Sequence, residues 1–204
     1  MPSPHHGNLR AELLDRAEAT LRDRGVEQLS LRELARDSGV SHGAPRSHFI
    51  DRSALLGALA ERGFDRLADA MGTASGTAST ASVSTDRYGA TAALNAAGRA
   101  YLDFATDNPA LLSLMVTAKA DDAAGKVHEA AQRLFTVTSA LVRAALTPNL
   151  REDSSVEELT LVLTATIQGI SSFVSTDRIP RERGDDLLDQ AIRLFLAGVF
   201  SNAP

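Results

Sequence analysis

Two helix-start signals stand close together near the beginning of the chain, and the glycine between them limits what can form there. Ser30 followed by Glu33 has the spacing of a capping box, in which the serine hydroxyl accepts a hydrogen bond from the glutamate N–H. Gly39 then ends the helix after about two turns, and Ser41 can cap a new helix. We therefore predict two short helices joined by a tight turn.

The second of these helices is predicted over residues 41–48, which we call the recognition segment. Two short helices joined by a Gly-containing turn are the signature of a helix-turn-helix, whose second helix enters the major groove of DNA. Phe49 returns the chain to the core, and Asp51 can cap the next helix. An ordinary helical hairpin without DNA affinity remains the alternative.

The rest of the chain is also patterned for helices. Apolar residues recur at helical spacing, and alternation with period two does not persist beyond a few residues, so we predict an all-α fold of about nine helices. Residues 72–86 are Gly, Ala, Ser and Thr with one Val, which predicts a flexible linker. The predicted organisation is an N-terminal three-helix domain (1–52), a connecting helix (52–71) and a larger helical domain (87–204).

Charge and composition narrow the functional classes. The 204 residues carry a net charge of −5, yet residues 1–62 balance nine Arg against nine acidic groups, so the acidic excess lies in the remainder. Contact with DNA must therefore come from a few well-placed groups. The chain has no Cys, which excludes disulfides, thiolate metal sites and a thiol nucleophile.

The sequence predicts no membrane segment, no cofactor, no metal site and no enzyme. No apolar run approaches the roughly 20 residues that span a bilayer, and the first residues lack the apolar core of a signal peptide, so we expect a cytoplasmic protein. His5 and His6 have no partner ligands nearby and fit a mobile tail. A Gly-rich phosphate loop and a cluster of His, Asp and Glu at metal spacing are both missing from the sequence.

The last two predicted helices are apolar on more than one stripe. Such an excess predicts a second packing surface, and a homodimer would use it by joining two helices from each subunit in a four-helix bundle. The alternative is that these are the central helices of a monomer. The residues predicted at the dimer interface are Leu163, Ile167, Ile170, Phe173, Ile192, Phe195 and Val199.

Residues 30–35 (SLRELA) and 39–56 (GVSHGAPRSHFIDRSALL) resemble the tetracycline-repressor (TetR) family. Its usual pattern is Thr/Ser-hydrophobic-Arg-x-hydrophobic-Ala, then Gly-Val-Ser, Tyr-x-His-Phe, a Lys and Ala-Leu. The resemblance implies a homodimeric transcription factor, usually a repressor, that binds a palindromic or pseudo-palindromic operator. It also implies a C-terminal domain that binds a small molecule and thereby releases the DNA.

The C-terminal half is similar to one subgroup of this family, which is named for a Trp-His-Gly pattern. Residues 101–104 and 108–115 resemble its fifth and sixth helices. Gly169 matches the naming pattern, whereas Gln168 and Thr164 stand where His and Trp are expected.

The recognition segment contains residue types that commonly bind DNA phosphates and base edges. A helix that begins at Ser41 presents free N–H groups to a phosphate, and Pro45 near its start should leave the helix intact. The family resemblance implies phosphate contacts from His48 and from Arg52, which occupies the Lys position. The residues predicted to contact DNA are Arg32, Ser41, His42, Gly43, Arg46, Ser47, His48 and Arg52.

Two positions depart from the family pattern. Arg46 stands where Tyr is usual, and Ser47 replaces a common Arg or Lys. An arginine can bond bidentately to guanine O6 and N7, which tyrosine cannot do. We hypothesise that Arg46 reads guanine. Since the departures could also weaken DNA recognition, a helical small-molecule-binding or interaction protein remains an alternative function.

A ligand pocket in the C-terminal domain is implied by the family resemblance. The candidate residues combine apolar bulk with a few polar groups, which favours an apolar or weakly polar ligand. Ordinary core packing is the alternative for each of them. The candidates are Tyr101, Phe104, Met115, Phe135, Thr138 and Gln168.

Overall fold

A computed structural model describes residues 9–41, 43–81, 87–118, 125–146 and 155–201. Within these ranges the chain is helical and contains no strand, which confirms the predicted all-α fold. The helices are α1 (Leu9–Arg24), α2 (Leu31–Asp37), α3 (Arg52–Ala81), α4 (Arg87–Asp107), α5 (Pro109–Ala118), α6 (Lys126–Leu146), α7 (Val156–Ser175) and α8 (Arg181–Ser201). Two 3₁₀ turns, Val26–Gln28 and Pro45–Ser47, complete the described elements. The second of these turns, Pro45–Ser47, lies where the third of the nine helices was predicted, so the described residues contain eight α-helices.

Side-chain caps fix three of the helix starts, and the sequence predicted those at Ser30 and Asp51. The Ser30 hydroxyl accepts from the Glu33 N–H at 3.1 Å, and the Asp51 carboxylate accepts from the Ala54 N–H at 2.8 Å. At the start of α7, the Ser155 hydroxyl accepts from the Glu158 N–H. Each cap satisfies one of the N–H groups that a helix start leaves without an internal partner.

The predicted end of the connecting helix at residue 71 is wrong, because α3 continues to Ala81 through most of the predicted linker. This stretch has no Pro to interrupt the helix, although seven of residues 72–81 are Gly, Ser or Thr, which form helices less readily than the three Ala. Ser75 is buried, and its hydroxyl donates to the Gly72 carbonyl at 2.9 Å, which satisfies the polar group within the helix. Residues 82–86 of the predicted linker lie outside the described residues.

The chain forms two compact units. The N-terminal unit consists of residues 1–64 and 108–131, and the C-terminal unit of residues 65–107 and 132–204. Helix α5 and the start of α6 thus group with the N-terminal helices, although the sequence-based division placed them in the C-terminal domain. The functional division into a DNA-binding and a ligand-binding domain stays a prediction.

The N-terminal unit is closely packed between α3 and α5. A Cβ atom at Gly63 of α3 would lie 2.7 Å from the Met115 sulfur and 3.3 Å from Leu111 Cγ. Met115 is 1% exposed and Leu111 is also buried, so neither side chain has free space to move into. Helix α5 also packs on α1, which accounts for its place in the N-terminal unit. In the C-terminal unit, α4, α7 and α8 pack on one another.

Gly63→Ala should lower the free energy of unfolding by about 1–3 kcal/mol, because the added methyl overpacks the contact with Met115. Thermal unfolding followed by circular dichroism measures the effect. Gly72→Ala is the matched control, since it changes a glycine of the same helix that has no heavy atom within 4 Å of the Cβ position. That control should gain up to about 1 kcal/mol from helix propensity. An unchanged Tm for Gly63→Ala would contradict the packing described above.

Candidate nucleic-acid interface

The turn between α2 and the recognition segment requires Gly39. This residue has a φ of 65°, in the left-handed region that favours glycine. Its N–H donates to the Arg36 carbonyl and the Val40 N–H donates to the Ala35 carbonyl, both at 3.1 Å. This pair of bonds is the Schellman motif, which ends a helix and redirects the chain. The recognition segment therefore leaves α2 at a fixed angle.

The described residues 43–48 of the recognition segment form a tight turn that contains the 3₁₀ helix Pro45–Ser47, so the α-helix predicted over residues 41–48 is wrong. The Ala44 N–H donates to the Ser41 carbonyl at 2.9 Å, and the Arg46 N–H donates to the Gly43 carbonyl at 3.1 Å. Both bonds span three residues instead of the four of an α-helix. Pro45 explains the difference, because it has no N–H to offer Ser41 and its ring would clash with that carbonyl in an α-helix.

Two buried side chains anchor this turn. Pro45 is buried and Phe49 is 2% exposed. The Pro45 carbonyl accepts from the N–H groups of both His48 and Phe49, at 3.1 and 2.8 Å. The Arg10 guanidinium lies 5.5 Å from the centre of the Phe49 ring, within cation–π range. The turn is thus fixed from within, and the exposed Ser47 hydroxyl also closes it by donating to the Ala44 carbonyl at 2.7 Å.

The residues predicted to contact DNA lie on the surface of the N-terminal unit where the structure describes them. Exposed positions include Arg46, Ser47 and His48 in the turn and Arg32 on α2. Within the described ranges, no side-chain hydrogen bond or ion pair occupies Arg32, Arg46 or His48, so their donors can serve a phosphate or a base. Ser41 and Gly43 are exposed as well, whereas His42 lies outside the described residues.

Arg52 has a structural role that the sequence did not indicate. Its Nε donates to the Leu29 carbonyl at 2.8 Å and its Nη2 donates to the Val26 carbonyl at 2.6 Å. These bonds tie the start of α3 to the segment between α1 and α2. The predicted phosphate contact of Arg52 stays a prediction, and it would have to use the remaining donors of the guanidinium. Carbonyl partners carry no sequence signature, so only the folded chain reveals them.

The residues predicted to bind a ligand lie in both units. Tyr101 of α4 is 5% exposed and its hydroxyl is hydrogen-bonded with the Gln168 side chain of α7. Burial raises the pKa of the Tyr101 phenol above its ordinary value, and the bond with Gln168 opposes the shift. Phe104 is buried and Phe135 half-buried. Met115 belongs to the N-terminal unit.

Thr138, the remaining candidate, is satisfied locally. It is buried, and its hydroxyl donates to the Leu134 carbonyl of the same helix at 3.0 Å. A different pair of hydroxyls in the C-terminal unit is unsatisfied. The side-chain oxygens of Thr164 and Ser171 are buried and have no hydrogen-bond partner within the described part of the chain. With Gln168 they follow one face of α7. Ser171 was not among the predicted ligand residues, because a serine within an apolar helix has no distinctive sequence signal.

The residues predicted at the dimer interface differ in how far they are buried. Leu163, Ile167 and Ile192 are buried inside the chain's own core and cannot form an outer face. Ile170 and Phe195 are half-buried, Phe173 is exposed, and the Val199 side chain lies outside the described residues. Because both helices are apolar on several stripes, periodicity did not separate the inner stripe from the outer one. The exposed apolar side chains of α7 and α8 are Leu161, Val162, Phe173 and Leu194.

Among the described residues, no three side chains of His, Asp and Glu converge on a position that could hold a metal ion. None of the helices described is long and apolar enough to cross a membrane.

Arg52→Lys should lower the Tm, because an ammonium group cannot reproduce two directed bonds to separate carbonyls. Arg46→Lys is the matched control, since Arg46 is exposed and has no side-chain partner among the described residues. Differential scanning calorimetry of the two variants measures the difference. Equal Tm values for the two variants would contradict the structural role of Arg52.

Comparison with known proteins is consistent with this geometry. Residues 94–195 match the family model "Tetracyclin repressor-like, C-terminal domain". A protein with unknown function from Rhodococcus sp. RHA1 has a similar structure, with a TM-score of 0.81 and 39% identity over 97% of this chain and 98% of that chain. The uncharacterised HTH-type transcriptional regulator YobS of Bacillus subtilis (strain 168) is 28% identical over 208 residues, which are 98% of this chain and 97% of that protein.

The TetR family transcriptional regulator PfmR from Thermus thermophilus shares the fold. Its TM-score is 0.65 at 16% identity, and the match covers 91% of this chain and 97% of that chain. Since the family model covers half of the sequence and the wider similarities extend over nearly all of it, the chain belongs to the tetracycline-repressor (TetR) family of transcriptional regulators.

Proposed function

We propose that this protein is a homodimeric repressor without enzymatic activity, which binds a palindromic or pseudo-palindromic operator and releases it when a small molecule binds the C-terminal unit. One observation carries the proposal of DNA binding. The recognition segment is held from within by Pro45 and Phe49, while Arg46, Ser47 and His48 are exposed. A rigid, cationic and hydroxyl-bearing turn on the surface suits a DNA groove.

Arg46 is proposed to read a base, and Arg32 and His48 to bind phosphates. Arg46 lies in the middle of the turn, where its guanidinium is free to approach a base edge. Bidentate bonding to guanine O6 and N7 would give discrimination of about 1–3 kcal/mol. With a net charge of −5, the protein has no general attraction for DNA. Its affinity therefore depends on these few groups.

A ligand site is proposed along the polar face of α7. Thr164, Gln168 and Ser171 share this face, and Gln168 reaches the Tyr101 hydroxyl on α4. These groups are uncharged, and apolar side chains predominate in the unit's core. We therefore expect an apolar or weakly polar ligand with a few hydrogen-bonding groups. A thermal-shift screen, followed by DNA binding in the presence of each hit, tests for a molecule that stabilises the protein and releases DNA.

The dimer is proposed to form through the outer faces of α7 and α8. Val162, Gly169 and Phe173 are spaced to share one face of α7, and all three are exposed. A Cβ atom at Gly169 would meet nothing within 4 Å, so a helix of a second subunit can approach closely there. A two-fold interface presents two recognition segments, which matches the symmetry of a palindromic operator.

Arg46→Ala should reduce the preference for one guanine in each operator half-site by about ten- to a hundredfold, because it removes the bidentate contact. The DNA upstream of the protein's own gene is the first operator to use, and fluorescence anisotropy with single-base variants measures the preference. Arg32→Ala is the comparison. It should weaken all sequences alike and reduce the slope of log affinity against log salt by about one.

Uniform weakening by Arg46→Ala would refute base recognition and assign this side chain to a phosphate. If the wild-type protein is a folded dimer and shows no sequence-specific binding to this DNA or to a random operator library, the DNA-binding proposal fails. A helical protein that binds a small molecule without DNA would then be the better description.

Val162→Asp should convert the dimer to a monomer, because the interface would bury an unpaired carboxylate. Light scattering after size-exclusion chromatography measures the mass, which should fall from twice the chain mass of 21.6 kDa to that mass. Val116→Asp is the matched control, as Val116 of α5 is 60% exposed and Val162 is 58% exposed. A dimer that persists in Val162→Asp would place the interface elsewhere.

A further inference from the structure

The N-terminal unit contains a cavity of about 480 Å³ directly behind the recognition segment. The cavity lies among α1, α3, α5 and α6, and none of the six residues predicted to bind a ligand lines it. Its volume falls within the range of about 300–1,000 Å³ that is typical of small-molecule sites. The apolar side chains that line it include the buried Leu114 and Val127, the half-buried Leu56, and Ile50, which is 82% exposed.

Gly57 of α3 is part of the cavity wall. A Cβ atom there would have one contact within 4 Å, with Val127 Cγ2 at 3.8 Å, which is an ordinary packing distance. Gly57 thus differs from Gly63 in the same helix, where packing excludes a side chain. A glycine inside a helix costs about 1 kcal/mol relative to alanine. Close packing does not require a glycine at position 57. The absence of a side chain there leaves space in the cavity.

The charged groups around the cavity balance one another. Arg10 and Lys126 are cationic, and Asp51 and Glu61 are anionic. His48 also lines the cavity, together with the hydroxyl-bearing Ser53 and Thr117. A site with balanced charge and an apolar wall favours an uncharged molecule, because an ionised one would lose hydration without a net opposite charge to replace it.

We propose that this cavity binds a small, uncharged and mainly apolar molecule with one or two hydrogen-bonding groups. The site is separate from the one proposed on α7 and acts on DNA binding directly. His48 to Asp51 connect the recognition segment to α3, and all four residues line the cavity. A ligand there contacts the segment that carries the proposed DNA-binding side chains. If the ligand binds the free protein and the DNA-bound protein with different affinities, it changes the affinity for DNA by the same ratio.

Methyl NMR on the full-length protein tests the binding site. The chain has five isoleucines, of which Ile50 lies in the N-terminal unit, while Ile167, Ile170, Ile179 and Ile192 lie in the C-terminal unit. Titration of protein labelled at the isoleucine δ1 methyls with 1-octanol should shift the Ile50 signal saturably, and more than the other four. The absence of a saturable Ile50 shift, or shifts confined to the other four, would overturn the proposal.

Two variants distinguish the cavity from the surface. Gly57→Leu places a side chain in the cavity and should abolish the Ile50 shift, whereas Gly72→Leu makes the same change in α3 away from the cavity lining and should retain it. Loss of the shift in both variants, or its persistence in a folded Gly57→Leu, would overturn the site. The wild-type titration remains decisive if Gly57→Leu does not fold.

Charge and function are tested with the same probe. Octanoate and octylammonium should bind more weakly than 1-octanol, and tighter binding of either ion would overturn the uncharged class. Saturating 1-octanol should change the affinity for operator DNA, and Gly57→Leu should remove that change. If the Ile50 signal shifts and DNA affinity does not change, the regulatory role is refuted. If the protein binds no DNA at all, the proposed function fails while the NMR result still decides the site.

Discussion

The geometry of the recognition segment depends on the burial of two side chains, Pro45 and Phe49. Because proline has no N–H, the turn closes through bonds that span three residues, and the Pro45 carbonyl then holds the N–H groups of His48 and Phe49. The phenylalanine ring pins the end of the turn in the core. Arg46 and Ser47 face outwards because both flanks are held inwards, and the DNA-binding proposal depends on that arrangement.

Helix α7 combines buried apolar, buried polar and exposed apolar positions. Leu163, Ile167 and Ser171 are buried on its core-facing side, whereas Val162 is exposed. The side-chain oxygens of Thr164 and Ser171 have no hydrogen-bond partner among the described residues. A helix with one apolar stripe suffices to build a core. The unpartnered hydroxyls carry the proposal for a ligand, and the exposed apolar positions carry the proposal for a second subunit.

Local signals predicted much of the fold, whereas features that depend on distant contacts could not be predicted. The caps at Ser30 and Asp51 follow from residues within one turn of each other, and both were predicted correctly. The carbonyl partners of Arg52 lie more than 20 residues away in sequence, at Val26 and Leu29. The inner and outer stripes of α7 have similar apolar periodicity, so only packing distinguishes them. At residues 72–81, burial of Ser75 supported a helix that composition alone did not indicate.

The separation of anchoring and exposed positions in the recognition segment also bears on how this protein can evolve. Gly39, Pro45 and Phe49 define the backbone, and a substitution at any of them would cost stability. Surface substitutions away from such positions usually change stability by no more than about 0.5 kcal/mol. Arg46 and Ser47 are exposed and belong to this second class. Under the proposed function, a lineage could therefore exchange one operator for another by single mutations there without first acquiring a compensating change in the fold.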